Sequence, residues 1–150
     1  MPVFEITYPE GELDPETRTQ LMDDLTTALL RAERAPDTDF FRGVTWSFVN
    51  EIPGDRVLAG GSPVEKPIFK VDFTTPQGAL SDRRRGELVA DATRLVREAA
   101  GIPEDEGLRV WVLLHEVAEG SWGAAGQVIR FEELRAAAKA EREKAEVAPA

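Results

Sequence analysis

Pro2 is the residue whose position in this sequence points most directly to chemistry. Methionine aminopeptidases generally remove Met1 before a small residue such as proline, which would leave Pro2 at the amino terminus. Its nitrogen would then be a secondary amine with a lone pair, whereas a proline nitrogen inside a chain is an amide without basicity. Proline is about one residue in twenty, so its position alone is weak evidence. A repeat that begins at the same residue strengthens the prediction that this amine is the working group.

Few other catalytic chemistries are open to this chain. The 150 residues contain no cysteine, which rules out disulfides, thiolate catalysis and cysteine-based metal sites. The one histidine, His115, cannot build a zinc site with several histidine ligands, and it is interpreted as a structural hydrogen-bonding residue. The run Arg83–Arg85 is interpreted as a solvated helix face, since basic residues at a helix start oppose the helix dipole. The sequence therefore excludes cysteine-based and multi-histidine metal sites.

The charge balance limits the possible partners. A formal net charge of −10 repels phosphate backbones and anionic membrane surfaces, so neither nucleic acid nor membrane is an expected partner. An acidic surface still allows a local cationic pocket for a small anion. No apolar run of membrane-spanning length and no signal peptide is visible, which predicts a soluble cytoplasmic protein.

The stretch that begins at Pro2 recurs in the second half of the chain. Residues 67–73 repeat residues 2–8 at a shift of 65, with apolar matching apolar and polar matching polar. Each stretch alternates as a half-buried strand does. A helical stripe follows in both halves, at a shift of 67: Leu21, Leu25, Ala28, Leu29 and Ala32 match Leu88, Ala92, Leu95, Val96 and Ala99. Trp46 then matches Trp111 at 65 again, so the pattern indicates a duplicated β-α-β unit.

The duplication predicts an α+β fold with tandem β-α-β units. Each unit is too small to bury its own helix stripe. Together they are expected to form one four-stranded sheet with both helices on one face. The predicted domain covers residues 1–126, with repeat one at 2–61 and repeat two at 67–126. Residues 127–150 are predicted to form a C-terminal helical tail with a structural or assembly role.

This arrangement resembles the tautomerase superfamily. A mature amino-terminal proline and two fused β-α-β units are its features, and residues 109–126 resemble the second strand and closing hairpin of 4-oxalocrotonate tautomerase. The fused length is similar to the cis-3-chloroacrylic acid dehalogenase group. The resemblance implies that Pro2 is a general acid or base acting on a small 2-oxo or unsaturated carboxylic acid. It also implies that arginines hold the substrate carboxylate.

The site residues implied by the resemblance match this sequence only in part. Pro2 matches, and Trp122 matches the aromatic residue of the closing hairpin, which gives it a predicted substrate-binding role. The first-loop arginine of the family falls near Glu12, and its strand arginine falls near Trp111. Arg109, two residues earlier on the same strand face, is the predicted substitute. The arginines of the dehalogenase group fall near Gln77 and Leu80, its histidine at Leu29, its tyrosine at Leu113 and its glutamate at Ala124.

The sequence is therefore compatible with three functional hypotheses. The first is a cofactor-free tautomerase or isomerase that uses Pro2. The second is a catalytically silent binding or scaffold protein of the same fold, which the missing arginines favour. The third is a hydratase or dehalogenase of unsaturated acids with rearranged groups.

Apolar side chains on the open sheet face predict a homo-oligomer. A trimer is expected, since three fused chains supply six β-α-β units. Pro67 follows Lys66, so its nitrogen is an amide and cannot act as a base.

Overall fold

The computed structural model describes residues 1–147, and residues 148–150 of the predicted tail lie outside the described part. The first repeat contains strand β1 (Val3–Pro9), helix α1 (Pro15–Glu33), a short helix α2 (Asp39–Gly43) and strand β2 (Trp46–Ile52). It closes with a 3-10 turn at Gly54–Arg56 and a small hairpin of β3 (Leu58–Ala59) and β4 (Ser62–Pro63). Asp14 caps α1 through a 2.9 Å hydrogen bond from the Thr17 amide, and Pro15 occupies the first turn, where its fixed φ suits a helix start.

The second repeat follows the same order. It contains β5 (Phe69–Pro76), α3 (Asp82–Ala100), a 3-10 segment at Glu104–Arg109, and β6 (Val110–Val117). Its closing hairpin is formed by β7 (Gly123–Ala124) and β8 (Gln127–Val128). Ser81 caps α3 where Asp14 caps α1, at the helix shift of 67. The tail is helix α4 (Phe131–Val147).

The four long strands form one mixed sheet in the order β2-β1-β5-β6. Each repeat contributes one parallel pair, and the two pairs meet where β1 runs antiparallel to β5. In that register Val3 lies opposite Thr74 and Thr7 lies opposite Lys70. Pro2 and Pro67 therefore lie at opposite ends of the sheet, eight residues apart along β1, which is roughly 25 Å at the usual rise. The predicted α+β fold of two fused β-α-β units is confirmed.

The core lies between the inner face of the sheet and helices α1 and α3. Alternate residues of β1 and β5, including Phe4, Ile6, Val71 and Phe73, are fully buried. They contact the stripe of each helix that the sequence predicts. Burial of such a side chain contributes about 1.5–3 kcal/mol each, so this layer holds both repeats together.

The outer face of the sheet is open in a single chain. Trp46 and Phe48 lie on β2 and Trp111 lies on β6; they are 65%, 48% and 64% exposed. Polar pairs fill the middle, where His115 Nε2 lies 2.9 Å from Asp72 Oδ1. No helix within residues 1–147 is both long and apolar enough to cross a membrane.

Candidate active site at the amino-terminal end of the sheet

Pro2 is buried at the start of β1. Its carbonyl oxygen accepts a hydrogen bond of 3.2 Å from the Trp46 amide, which fixes the residue at the edge of the first parallel pair. In the structure Met1 precedes Pro2, so the terminal amine belongs to Met1. Burial lowers the pKa of that amine, and the negative charge of Glu33 partly opposes the shift. The environment at this end of β1 thus favours a neutral amine more than bulk water does.

A cavity of about 590 Å³ surrounds the amino terminus. One wall is the carboxyl end of α1, with Glu33 and Arg34. A second wall is the loop after β5 and the first turn of α3, with Ala79 and Arg84. The third wall is helix α4. Both repeats and the tail therefore contribute to one site, and Met1 itself occupies part of it.

Glu33 places a carboxyl group inside this cavity. Part of the side chain remains at the surface, but Oε1 is buried and has no hydrogen-bond partner among residues 1–147. Burial raises the pKa of Glu33 to about 7, and the nearby Met1 amine and Arg84 guanidinium partly oppose that shift. A carboxyl group with a pKa near neutrality can hold or release a proton at physiological pH.

Arg84 supplies a cation to the same cavity. Its Nη1 donates to the carbonyls of Ala32 at 2.6 Å and Ala79 at 2.9 Å, and its Nε donates to Ser81 Oγ at 3.2 Å. These bonds hold the guanidinium in place and leave Nη2 without a partner among the described residues. Burial, followed by the like charges of Arg34 and Arg83, lowers the pKa of Arg84. Arg84 is the middle residue of the Arg83–Arg85 run, so the interpretation of that run as a solvated face fails at this position.

The end of the sheet near Pro67 lacks the equivalent groups. At the helix shift of 67, Glu33 corresponds to Ala100 and Arg84 corresponds to Thr17. Among residues 1–147, the Pro67 end has instead an ion pair between Arg109 and Glu106, and lacks a carboxyl oxygen that is buried without a partner. The two ends of the sheet therefore differ, and the Pro2 end is the stronger candidate for an active site.

Arg34 is a further difference between the two ends. It closes α1 in the left-handed conformation, with φ of 57°, where the matching residue of α3 is Gly101, with φ of 64°. Glycine adopts this conformation freely, whereas another residue costs of order 1 kcal/mol. Arginine at this position brings a second guanidinium to the cavity.

Arg109 lies at the other end of the sheet. It comes just before β6, which runs parallel to β5, so it is placed beside Pro67 and not beside Pro2. Its Nε donates to the Pro67 carbonyl at 2.9 Å, and its Nη1 pairs with Glu106 at 2.6 Å. Within one chain Arg109 cannot hold a substrate at Pro2. Its predicted role would require a second copy of the chain.

Trp122 lies beside the second closing hairpin, where its carbonyl accepts a 2.8 Å hydrogen bond from the Ile129 amide. It is half-buried and does not line the cavity around the amino terminus. A substrate-binding role for Trp122 stays a prediction. His115 pairs with Asp72 on the outer face, which agrees with its interpretation as a structural residue.

Sequence reasoning missed Glu33 and the position of helix α4 beside the cavity. Glu33 follows Leu25 and Leu29 at intervals of four, so it continues the apolar stripe of α1. The signal that could have revealed Glu33 is a carboxylate on the apolar stripe of a helix. It lies in the last turn, where the helix dipole disfavours negative charge. For α4 the sequence predicts a helix but not its position, since nothing local shows that it lies along the cavity.

Comparison with known proteins agrees with this architecture. Residues 67–132 match the family model described as Tautomerase enzyme. No curated protein sequence matches the chain. Among solved structures, the wild-type fused 4-OT F6, described as an asymmetric trimer, shares 20% identity at a TM-score of 0.70, over 84% of this chain and 94% of that one.

Two further structures show the same fold. Pt0534, in a structure described as inactivated by 2-oxo-3-pentynoate, is 24% identical with a TM-score of 0.71, over 84% of this chain and 94% of its own. N1, a member of the cis-3-chloroacrylic acid dehalogenase family, is 17% identical with a TM-score of 0.72, over 98% of this chain and 92% of its own. The second repeat therefore matches the tautomerase family model, and the chain as a whole has the fold of these fused two-repeat proteins.

Proposed function

We propose that this chain, after removal of Met1, is a cofactor-independent tautomerase or isomerase. The Pro2 amine serves as general acid and base on a small 2-oxo or unsaturated carboxylic acid. The observation that supports this most strongly is the cavity lined by Met1, the residue directly before Pro2, where a buried carboxyl group and a fixed guanidinium lie near the terminal amine. At the other end of the sheet the repeat-equivalent positions, Ala100 and Thr17, carry neither group.

The proposed reaction is a proton transfer between carbon and oxygen. A neutral Pro2 amine takes a proton from the carbon next to the substrate carbonyl and becomes an ammonium ion. Arg84 stabilises the negative charge that develops on the enolate oxygen. The reverse transfer, at the same or a conjugated carbon, returns the proton and completes the isomerisation. Removal of Met1 also frees the part of the cavity that Met1 occupies.

The test is the intact mass of the protein before and after treatment with 2-oxo-3-pentynoate. The amine adds across the triple bond and its proton moves to the neighbouring carbon, so the mass rises by that of the whole reagent. We expect Met1 to be absent and one adduct to map to Pro2. Retained Met1, or an unmodified Pro2, would contradict the proposal.

A hydratase is the second candidate, and Glu33 is the observation that favours it. A carboxylate beside the amine can take a proton from water, while a protonated Pro2 donates to the carbon of an unsaturated acid. Incorporation of ¹⁸O from labelled water into the product distinguishes this reaction from isomerisation.

A catalytically silent binding protein is the third candidate, and it is favoured by Glu12 at the position of the family's first-loop arginine. It predicts no exchange of substrate carbon-bound protons with deuterated water.

We also propose that three copies of the chain assemble through the outer face of the sheet. Trp46 and Trp111 are repeat-equivalent and are both about two-thirds exposed in one chain. Large exposed apolar side chains on a sheet mark an interaction surface. The fused 4-OT structures are described as trimers, which supports the same assembly here.

The double variant Trp46→Lys/Trp111→Lys is expected to be monomeric. Burial of each tryptophan in an interface contributes roughly 2–4 kcal/mol, and a buried lysine adds an unpaired charge. Light scattering after size exclusion measures the mass directly. The control is Val147→Lys, since Val147 is 82% exposed on α4, away from the sheet. A wild-type monomer, or an unchanged mass in the double variant, would refute the trimer.

A further inference from the structure

Helix α4 lies outside the duplicated unit, yet it is fixed to the candidate active site. Buried Ala138 packs against Leu30 and Phe41 next to the end of α1. Arg142 donates a hydrogen bond to the carbonyl of Arg34, and at the start of the helix the Phe131 amide donates to Glu119 at 3.2 Å. The helix is therefore held along the cavity from both ends.

The charges of α4 are segregated relative to this cavity. Three of its four basic residues line the cavity (Arg135, Lys139 and Arg142), whereas only one of its five acidic residues does (Glu132). The three basic positions are spaced four and three residues apart, which places them on one face of the helix. In a solvated surface helix, both signs of charge would be expected on every exposed face.

The wall of the cavity opposite α4 also carries positive charge. Arg34 and Arg84 complete a set of five cationic residues around the cavity, against two acidic ones, Glu33 and Glu132. This excess occurs in a chain whose formal net charge is −10. The side chains of Arg34 and Arg135 form no ion pair with any carboxylate among residues 1–147. Cations grouped in this way repel one another unless an anion lies between them.

We infer that α4 is the anion-binding wall of the active site and that Arg135 and Lys139 bind the carboxylate of the substrate. This assignment rests on the proposed function for the identity of the reacting group, but the anion site itself follows from the cations. It explains how a chain with Glu12 and Trp111 at the positions of the family's arginines holds a carboxylate. The cations come from its own tail and face the amine across the cavity.

The test compares two double variants with equal changes in charge. Arg135→Gln/Lys139→Gln removes two cavity cations that do not fix the helix in place. The control is Arg83→Gln/Lys144→Gln, which removes two cations outside the cavity. Arg83 pairs with exposed Glu87 and Lys144 pairs with half-buried Glu141, each on its own helix, so both variants are expected to fold.

Two probes are used on each protein. Titration calorimetry with pyruvate, a small 2-oxo acid whose keto form predominates at equilibrium, measures anion binding without net conversion. The rate of labelling by 2-oxo-3-pentynoate, as a function of its concentration, separates the half-saturating concentration from the limiting rate. The methyl ester of the same reagent gives the rate without a carboxylate.

We expect the cavity variant to bind pyruvate about tenfold more weakly than the wild type, since two charge-assisted hydrogen bonds are lost and solvent screens both exposed cations. The half-saturating concentration of the acid reagent should rise by a similar factor, with the limiting rate unchanged. The control should stay within about twofold, and the ester should label all three proteins at one rate.

The outcomes separate this inference from the proposed function. If pyruvate binding weakens in the cavity variant but Pro2 is never labelled, α4 binds anions and the proposed catalysis is wrong. If Pro2 is labelled with the same half-saturating concentration in all three proteins, the catalysis stands and the role of α4 is wrong. A wild type that neither binds pyruvate nor reacts refutes both.

Discussion

A Pro2→Ala variant is expected to lose catalysis by about a hundredfold or more while keeping its fold. Proton transfer by a positioned acid or base contributes 10²–10⁴-fold to a rate, and the ring of proline is what holds the nitrogen in one orientation. An alanine amine is primary and rotates freely about its φ angle. Since Pro2 contributes only a carbonyl to the backbone hydrogen bonds of the sheet, the loss of its ring should leave the strands intact. Turnover of an enol or unsaturated acid is the measurement.

Pro67→Ala is the matched control for that experiment. It removes the same ring from the equivalent position of the second repeat, where the nitrogen is an amide. Activity should remain within about twofold of the wild type, and circular dichroism should show the same spectrum for all three proteins. Retained activity in Pro2→Ala would refute the role of the amine, and an equal loss in Pro67→Ala would show that the effect is structural.

A Glu33→Gln variant is expected to be more stable than the wild type at pH 8 and to lose one component of the dependence of stability on pH. The folded pKa of Glu33 is about 7, above its value of 4.5 in an unfolded chain. The folded state therefore binds more protons between these values. The carboxyl group costs nothing below pH 4.5, and it destabilises the folded state progressively as the pH rises to 7. Above that the cost is constant, at roughly 3 kcal/mol.

Glutamine keeps the shape of the side chain without the titration. The difference in melting temperature between Glu33→Gln and the wild type should thus be small near pH 4.5 and grow to several degrees by pH 8. Protein concentration must be constant, because assembly also shifts the melting temperature. Glu132→Gln is the control, since Glu132 lines the same cavity but is exposed. A difference that stays constant across this range would mean that Glu33 titrates normally.

The fold could be predicted largely because its signals are local and occur twice. Alternation in residues 2–8 and 67–73 identifies the central strands, and Asp14 and Ser81 cap the two helices at equivalent positions of the repeats. The repeat then fixes the topology, since two units that cannot bury their helices alone must share a sheet. Even the exposed tryptophans at 46 and 111 follow from this symmetry.

The site was harder to predict because its parts are distant in sequence. Glu33, Arg84 and Arg135 come from the end of α1, the start of α3 and the tail, and only the antiparallel contact between β1 and β5 brings them to one end of the sheet. The same contact carries Arg109 away from Pro2. A resemblance between repeats shows which residues correspond, but it does not show which ends of the two repeats meet.

The opposed ends of the sheet have a consequence for how such a chain can evolve. The second proline lies in a peptide bond after Lys66, so its nitrogen is an amide and has no proton-transfer chemistry for its surroundings to support. Ala100 and Thr17 now stand where the acid and the cation stand at the other end. Cutting the chain before Pro67 would create a second terminal proline without creating a second enzyme. Cleavage at this bond would thus separate the two repeats, but it would not give the second repeat the groups for acid or base chemistry.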